Sequence, residues 1–213
     1  GFNHNGDVEL AKRMIESAAK NGADAVKLQT FVASEMISKS LLVDDPDNPG
    51  SEIPFYEFFQ RYELSRADYE VLIAYADKLS VPLFSTPFDE ASLDMLVELG
   101  MPALKIASPD LTYMPFLERA AESGLPVVLS TGMGNDKEIG EALHALRKAS
   151  SVILLHCVSN YPSRYEEMNL ACMAGMRSQF KLPVGLSDHT LDNLSAVVAA
   201  SLGAVLIEKH FTL

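Results

Sequence analysis

Cysteine is nearly missing from this 213-residue chain. Only Cys157 and Cys172 occur, in no CxxC pattern, which excludes a disulfide framework and points to a reducing, cytoplasmic compartment. Long apolar runs are missing as well. No stretch approaches the ~18 residues that a transmembrane helix needs, and Gly1-Phe2-Asn3-His4-Asn5-Gly6 carries no signal-peptide pattern. Basic residues are scarce: 17 Lys and Arg stand against 29 Asp and Glu, a net charge of −12. General nucleic-acid binding, which needs a basic footprint, is thereby excluded, as is docking on an anionic membrane. An anionic small molecule is not excluded, because a few lysines inside a pocket outweigh the net charge. No GxGxxG follows the first strand, which argues against a dinucleotide-binding fold.

What is present is core material and a regular alternation. Hydrophobic residues make up 48% of the chain, enough for one large domain or two small ones. Asp7 caps a helix that runs to about residue 21, with Leu10, Ala11, Met14, Ile15 and Ala18 on one stripe. Residues 25–30 predict a strand in which Lys27 and Gln29 share a face and Val26 and Leu28 the other. Residues 32–63 read as a long connection, turn-rich and acidic over 44–51, and are expected to form a mobile flap. From Ser65 onward the pattern repeats. Helices are expected over 65–79, 89–99, 114–123, 136–149, 169–180 and 191–202, with strands over 81–85, 103–108, 126–130 and 152–156 and two more ending at Leu186 and Glu208. With a strand remnant at residues 1–6, the alternation predicts an α/β fold, a (β/α)8 TIM barrel over residues 1–213, clipped at its first strand and lacking its last helix.

The strand ends carry the chemistry. Gly185-Leu186-Ser187-Asp188-His189-Thr190 and Ile207-Glu208-Lys209-His210-Phe211-Thr212 each follow a short apolar run, about one helix plus one strand apart. Parallel neighbours would bring the two imidazoles to one mouth, with Asp188 and Glu208 beside them. Two imidazoles with open positions suit a divalent transition metal such as Mn, Fe or Co better than a closed structural zinc site. The other strand ends deliver Lys27 and Gln29, Ser85 and Thr86, Lys105 and Ser108, Ser130 and Thr131, and Ser159, Asn160 and Tyr161. Lys27 and Lys105 lie inside apolar strands, where an unpaired ammonium costs several kcal/mol; either each snorkels to solvent or pairs with a local carboxylate, or an anion at the mouth partners both. Ser130-Thr131-Gly132 reads as an oxyanion cradle of hydroxyl and backbone N–H groups. Others read as packing or surface: His144 and the Arg147–Lys148 turn as surface, Cys157 as core with no basic partner, Met173 and Met176 as helix packing. His156 reads as either core or support for the site.

These stretches, in this order, carry a resemblance: Asn3-His4-Asn5-Gly6, Lys27-Leu28-Gln29-Thr30-Phe31, Phe84-Ser85-Thr86-Pro87-Phe88, Lys105-Ile106-Ala107-Ser108, Leu129-Ser130-Thr131-Gly132-Met133, Leu155-His156-Cys157 with Tyr161-Pro162, and the two histidine motifs. The chain closely resembles the N-acetylneuraminate (sialic acid) synthase family, which includes legionaminic and pseudaminic acid synthases and spore-coat polysaccharide relatives. The resemblance implies condensation of phosphoenolpyruvate with an N-acetylated hexosamine to a nine-carbon 2-keto acid, with release of phosphate. It implies Mn²⁺, or Mg²⁺ or Co²⁺, on His189 and His210. Lys27, Lys105, Ser108, Ser130, Ser159 and Ser187 would bind phosphoenolpyruvate; Gln29, Thr86, Phe88, Tyr161 and Glu208 would face the sugar, with Asp188 beside them. Glu208, Lys105 and Lys27 would be the catalytic groups. A homodimer is implied for the full-length protein, with a Glu ahead of Gly1 and a C-terminal antifreeze-like domain that this chain is expected to lack. Pro109 stands where many relatives have Gly, and Ser159 where some carry Asn. Two other functions fit the same strand ends: a related 3-deoxy-sugar acid synthase that uses phosphoenolpyruvate and a phosphorylated sugar, and a non-catalytic barrel that holds a sugar or anion.

Overall fold

The computed structural model describes residues 3–45 and 48–212. The chain divides into two compact units, Gly1–Pro102 with Phe211–Leu213, and Ala103–His210.

The first unit opens with α1 (Val8–Lys20), whose N-terminus is capped by Asp7: its Oδ1 accepts the N–H groups of Glu9 at 2.8 Å and Leu10 at 3.1 Å. Strand β1 (Val26–Thr30) follows. The short helix α2 (Ala33–Met36), the hairpin of β2 (Leu42–Asp44) with β3 (Glu52–Pro54), and α3 (Phe55–Gln60) lead to α4 (Arg66–Lys78). Ser65 and Asp68 close a capping box on α4. Strand β4 (Leu83–Pro87) pairs in parallel with β1, Gln29 opposite Thr86. Asp89 caps α5 (Glu90–Glu98) and also accepts the Val32 N–H, tying the two strand ends together. Ala11, Ile15, Leu28, Leu72, Leu83 and Leu96 form this unit's core.

The second unit is a run of parallel strand–helix repeats. Its strands are β5 (Leu104–Ile106), β6 (Val127–Ser130), β7 (Val152–Cys157), β8 (Val184–Asp188) and β9 (Ile207–Lys209), side by side in chain order. The connecting helices are α6 (Met114–Glu122), α7 (Asp136–Ala145), α8 (Cys172–Phe180) and α9 (Leu194–Ser201). Strands β5, β6 and β8 are buried along their whole length, as a parallel sheet covered on both faces requires. Side chains alternate along them. One set (Leu104, Ile106, Leu154, Leu186) packs in the core and the other carries Lys105, Ser187 and Glu208. At Gly185 a Cβ would stand 2.2 Å from the Leu206 carbonyl oxygen, so only glycine lets β8 and β9 approach this closely.

The α/β alternation expected from the sequence is present in both units. Several expectations need correction. The connection over 32–63 is not structureless. It folds into α2, a hairpin and α3, and Phe55, Phe58, Phe59 and Tyr62 stack along the last of these. The centre of the expected flap, residues 46 and 47, lies outside the described residues, as do residues 1, 2 and 213 at the chain ends. Helix α8 starts at Cys172 rather than 169, because Asn169 takes a left-handed conformation at φ 42°. Helix α9 starts at Leu194 rather than 191, where the Asp192 carboxylate accepts the Leu194 N–H at 2.9 Å. Strand β8 runs on to Asp188 and β4 to Pro87.

Candidate active site

The second unit brings most of the sequence-predicted polar groups to one end of its strands. Lys105 is 3% exposed. Its Nζ donates to Ser130 Oγ at 2.7 Å and to the Ile106 carbonyl at 2.8 Å, and lies 3.7 Å from Glu208 Oε2. The ammonium is therefore neutralised and solvated by protein while buried, as such a charge must be. Glu208 is held in turn by the Ser187 hydroxyl, which donates to Oε2 at 2.8 Å. Ser187 and Glu208 are register partners on β8 and β9, so the bond runs straight across the ladder.

Just beyond, where the two strands end, stand the histidines. Their ring centroids are 5.6 Å apart. The Nδ1 of His189 faces the Val158 carbonyl oxygen at 2.8 Å; as a donor there it makes Nε2 the acceptor, 3.5 Å from Ser187 Oγ. With metal–nitrogen bonds of about 2 Å, rings at this separation can both reach one ion. Among the described residues no group of three or more His, Cys, Asp or Glu stands ready to hold a metal, so the remaining positions would fall to water or substrate oxygen. The exposed Tyr161 ring lies on His189 at 4.0 Å between centroids and meets His210 edge-on at 5.9 Å. Tyr161, His189 and His210 line an open recess of about 290 Å³, and Asp188, Thr190 and Lys209 also border it.

A second feature sits beside Lys105. The Ser108 hydroxyl accepts the Gly132 N–H at 3.0 Å, and a Cβ on Gly132 would stand 2.5 Å from Ser159 Oγ and 2.8 Å from Ser108 Oγ. Three small groups thus converge where only glycine fits, with the Gly132 N–H already bonded to Ser108.

Some expected residues are placed elsewhere. Asp188 is fully buried on the opposite face of β8 from Ser187; it accepts from Thr190 and pairs with Lys209 Nζ at 2.8 Å. The Thr131 hydroxyl is spent on the Leu155 carbonyl at 3.0 Å. His156 points toward α8, with Nε2 2.6 Å from the Met168 carbonyl oxygen and Nδ1 3.2 Å from Cys172 Sγ. Cys157 is core, as expected, yet it has a basic partner. Burial works to raise its thiol and to lower His189. Their mutual hydrogen bond, with Ser108 on the thiol and the Val158 carbonyl on the ring, outweighs this and leaves Cys157 below and His189 above its ordinary range. In the first unit, Lys27 Nζ donates to Thr86 Oγ1 at 3.0 Å, Gln29 is Thr86's register partner, and Phe88 is half-buried just past β4. Ser85 faces the other way, bonded to Thr30 at 2.6 Å in a buried network with Tyr69.

Sequence reasoning missed Asp110. It lies in the 3₁₀ turn Ser108–Thr112 that follows β5, and its Oδ2 is buried with no hydrogen-bond partner among the described residues. Burial, against the pull of Lys105, pushes its carboxyl up to about 6. A buried carboxylate oxygen without a partner is rare in a folded protein, and this one sits in the turn that follows β5.

The family model for the NeuB family matches residues 14–213. The chain belongs to the NeuB family. Among its NeuB relatives are an uncharacterized protein, MJ1065, of Methanocaldococcus jannaschii and the N,N'-diacetyllegionaminic acid synthase of Legionella pneumophila. The first is 45% identical over 100% of this chain and 60% of its own length. The second is 40% identical over 100% of this chain and 62% of its own length. The chain thus spans about three fifths of these relatives. The N-acetylneuraminic acid (sialic acid) synthetase of Leptospira borgpetersenii, a crystal structure in complex with citrate, superposes with a TM-score of 0.89 at 36% identity. It covers 100% of this chain and 70% of that one. The strand ends described above therefore belong to a NeuB-family fold.

Proposed function

We propose that this protein condenses phosphoenolpyruvate with an N-acetylated hexosamine, of the N-acetylmannosamine kind, to a nine-carbon 2-keto sugar acid, releasing phosphate. The observation that carries the reading is the line Lys105–Glu208–Ser187–His189–His210, which joins an anion-binding ammonium to a pair of imidazoles along one face of the sheet. Names of the relatives support the reaction class. The barrel is proposed to be a closed (β/α)8 one in the whole protein, and the protein a cytoplasmic homodimer.

In this reading Lys105, Ser130, Ser108 and Ser159 hold the phosphate and carboxylate of phosphoenolpyruvate; it is the family resemblance that gives Lys27 the same role. Ser187 fixes Glu208 by its hydrogen bond and contacts the enol substrate. Tyr161, Gln29, Thr86 and Phe88 face the open-chain sugar. His189 and His210 would hold Mn²⁺, Mg²⁺ or Co²⁺, which would act as a Lewis acid toward the sugar aldehyde. Carbon C3 of the enol attacks the aldehyde carbon and forms the new C–C bond. Water adds to the cationic C2; Glu208 takes one of its protons and passes it to the alkoxide left on the former aldehyde carbon. The tetrahedral carbon then breaks its C–O bond, and phosphate leaves with the remaining hydroxyl proton as the ketone forms. Lys105 stays protonated throughout and offsets the negative charge on the departing group.

The test is phosphate release from phosphoenolpyruvate with Mn²⁺ and N-acetylmannosamine, with His189→Ala as control. Sugar-dependent release that the variant loses is the expected result. If that sugar fails, a panel of modified N-acetyl hexosamines and phosphorylated sugars decides the acceptor. Silence across the whole panel overturns the synthase reading in favour of a binding protein.

A further inference from the structure

The second unit places a partly buried ion pair on the face of β8 and β9 opposite Ser187 and Glu208, where it borders the recess that holds the two histidines. Strands β8 and β9 are bolted on both faces at successive register positions. On the reacting face, Ser187 donates to Glu208. One step on, at the register pair Asp188 and Lys209, the bond switches to the opposite face: Lys209 Nζ donates to Asp188 Oδ2 at 2.8 Å, and Asp188 is 0% exposed. The next residues of the two strands are His189 and His210.

The same two side chains take hold of the chain beyond His189. Asp188 Oδ1 accepts both the Thr190 N–H at 2.9 Å and the Thr190 hydroxyl at 2.8 Å. Lys209 Nζ also donates to the Thr190 carbonyl at 2.6 Å. All three polar groups of Thr190 are thus engaged by one ion pair. From the other side, the His189 carbonyl accepts the Ser163 N–H at 3.0 Å, and the His189 ring meets the Val158 carbonyl. His189 is therefore pinned before and after in the chain and at its ring, whereas His210 follows Lys209 directly and is exposed.

We infer that Asp188 and Lys209 are positioning residues which set the approach of His189 to His210, with Thr190 as the part they grip. A one-residue register shift of a parallel ladder turns every side chain to the other face, and any shift here would leave the Asp188 carboxylate buried without its cation. The ion pair therefore fixes which residues face the mouth and how far apart the two imidazoles stand. This rests on the proposed role of the histidines as metal ligands. Support of this kind one shell out from a ligand changes metal affinity about 10- to 100-fold when removed.

The test uses Lys209→Met and Lys209→Arg in the protein, read in two ways. Imidazole resonances of His189 and His210 are followed by NMR in metal-free protein, with the exposed His144 on α7 as internal reference. Mn²⁺ affinity is measured by titration calorimetry. Lys209→Met is expected to move the His189 and His210 resonances, leave His144 in place and weaken Mn²⁺ binding about tenfold or more, with Lys209→Arg restoring part of it. Unmoved resonances, together with Mn²⁺ affinity within about twofold of the parent in a folded variant, overturn the inference. If the parent itself does not bind Mn²⁺, the metal part of the proposed function fails, and the resonances alone decide the positioning role. If Lys209→Met does not fold, the neutral pair Asp188→Asn/Lys209→Gln is read in the same way.

Discussion

Replacing Asp110 by asparagine should change how stability depends on pH, by an amount the structure sets. The carboxyl of Asp110 is lifted by burial from 3.8 to about 6. For an acid raised in this way, the folded state binds more protons than the unfolded state between those two values. Stability is therefore gained as pH falls through about 6 and is lost again above it. At about 1.4 kcal/mol per unit, the shift corresponds to roughly 3 kcal/mol at full effect, and less to the extent that water reaches the carboxyl. The amide of the variant has no charge to desolvate. The stability difference between variant and parent should consequently be about 2 kcal/mol more favourable to the variant at pH 8 than at about pH 4.5. Comparing the two pH values cancels whatever the amide costs in hydrogen bonds. Urea denaturation of both proteins at the two pH values measures this directly. A stability difference that does not change with pH refutes the assignment of an orphaned, charge-strained carboxylate. Under the proposed function the variant should also turn over more slowly, because strain of this kind is retained at working sites.

Lys105→Met should lower kcat/KM for phosphoenolpyruvate by about 10²–10³, the usual cost of removing one donor from an anion site; initial rates against phosphoenolpyruvate concentration give the figure. Gly132→Ala places a Cβ against Ser159 and Ser108. It should raise KM for phosphoenolpyruvate and destabilise the fold by about 1–3 kcal/mol through overpacking, seen in the same assay and by thermal melting. His4 is 3% exposed, and burial lowers its ring to about 4. For a base depressed in this way the unfolded state binds more protons between about 4 and 6.5, so His4 draws stability down as pH falls through that window, by roughly 3 kcal/mol at most. His4→Asn should flatten that limb of the stability–pH curve, and an unchanged limb contradicts the buried neutral ring.

The sequence pattern carries a great deal of this. Apolar runs ending in polar residues locate the strands of the second unit to within one or two residues; β5 is buried along its whole length, so Lys105 in its middle stands out as a charge with a use. The misplacements follow from strand parity. Asp188 sits beside His189 in sequence but on the other face of β8, and Ser85 is turned away from Thr86 by the same alternation on β4; His156, read as core or support, falls on the Leu186 side of β7. Strict period-two counting back from Ser187 would have put Asp188 with the core. The helix Phe55–Gln60 carried a signal, aromatics at i, i+3, i+4 and i+7, that the acidic turn before it obscured. Asp110 carried none. A carboxylate in a Ser-Pro-Asp turn reads as a solvated loop, and only the packing around it shows an oxygen without a partner.

The most direct test of the central claim uses phosphoenolpyruvate labelled with ¹⁸O in its bridging C–O–P oxygen, together with Mn²⁺ and the N-acetyl hexosamine that supports turnover. Condensation by C–O cleavage predicts that the label appears in inorganic phosphate and that a nine-carbon 2-keto acid forms in equal amount. Label retained in the organic product, or phosphate released with no new C–C bond, would contradict the account.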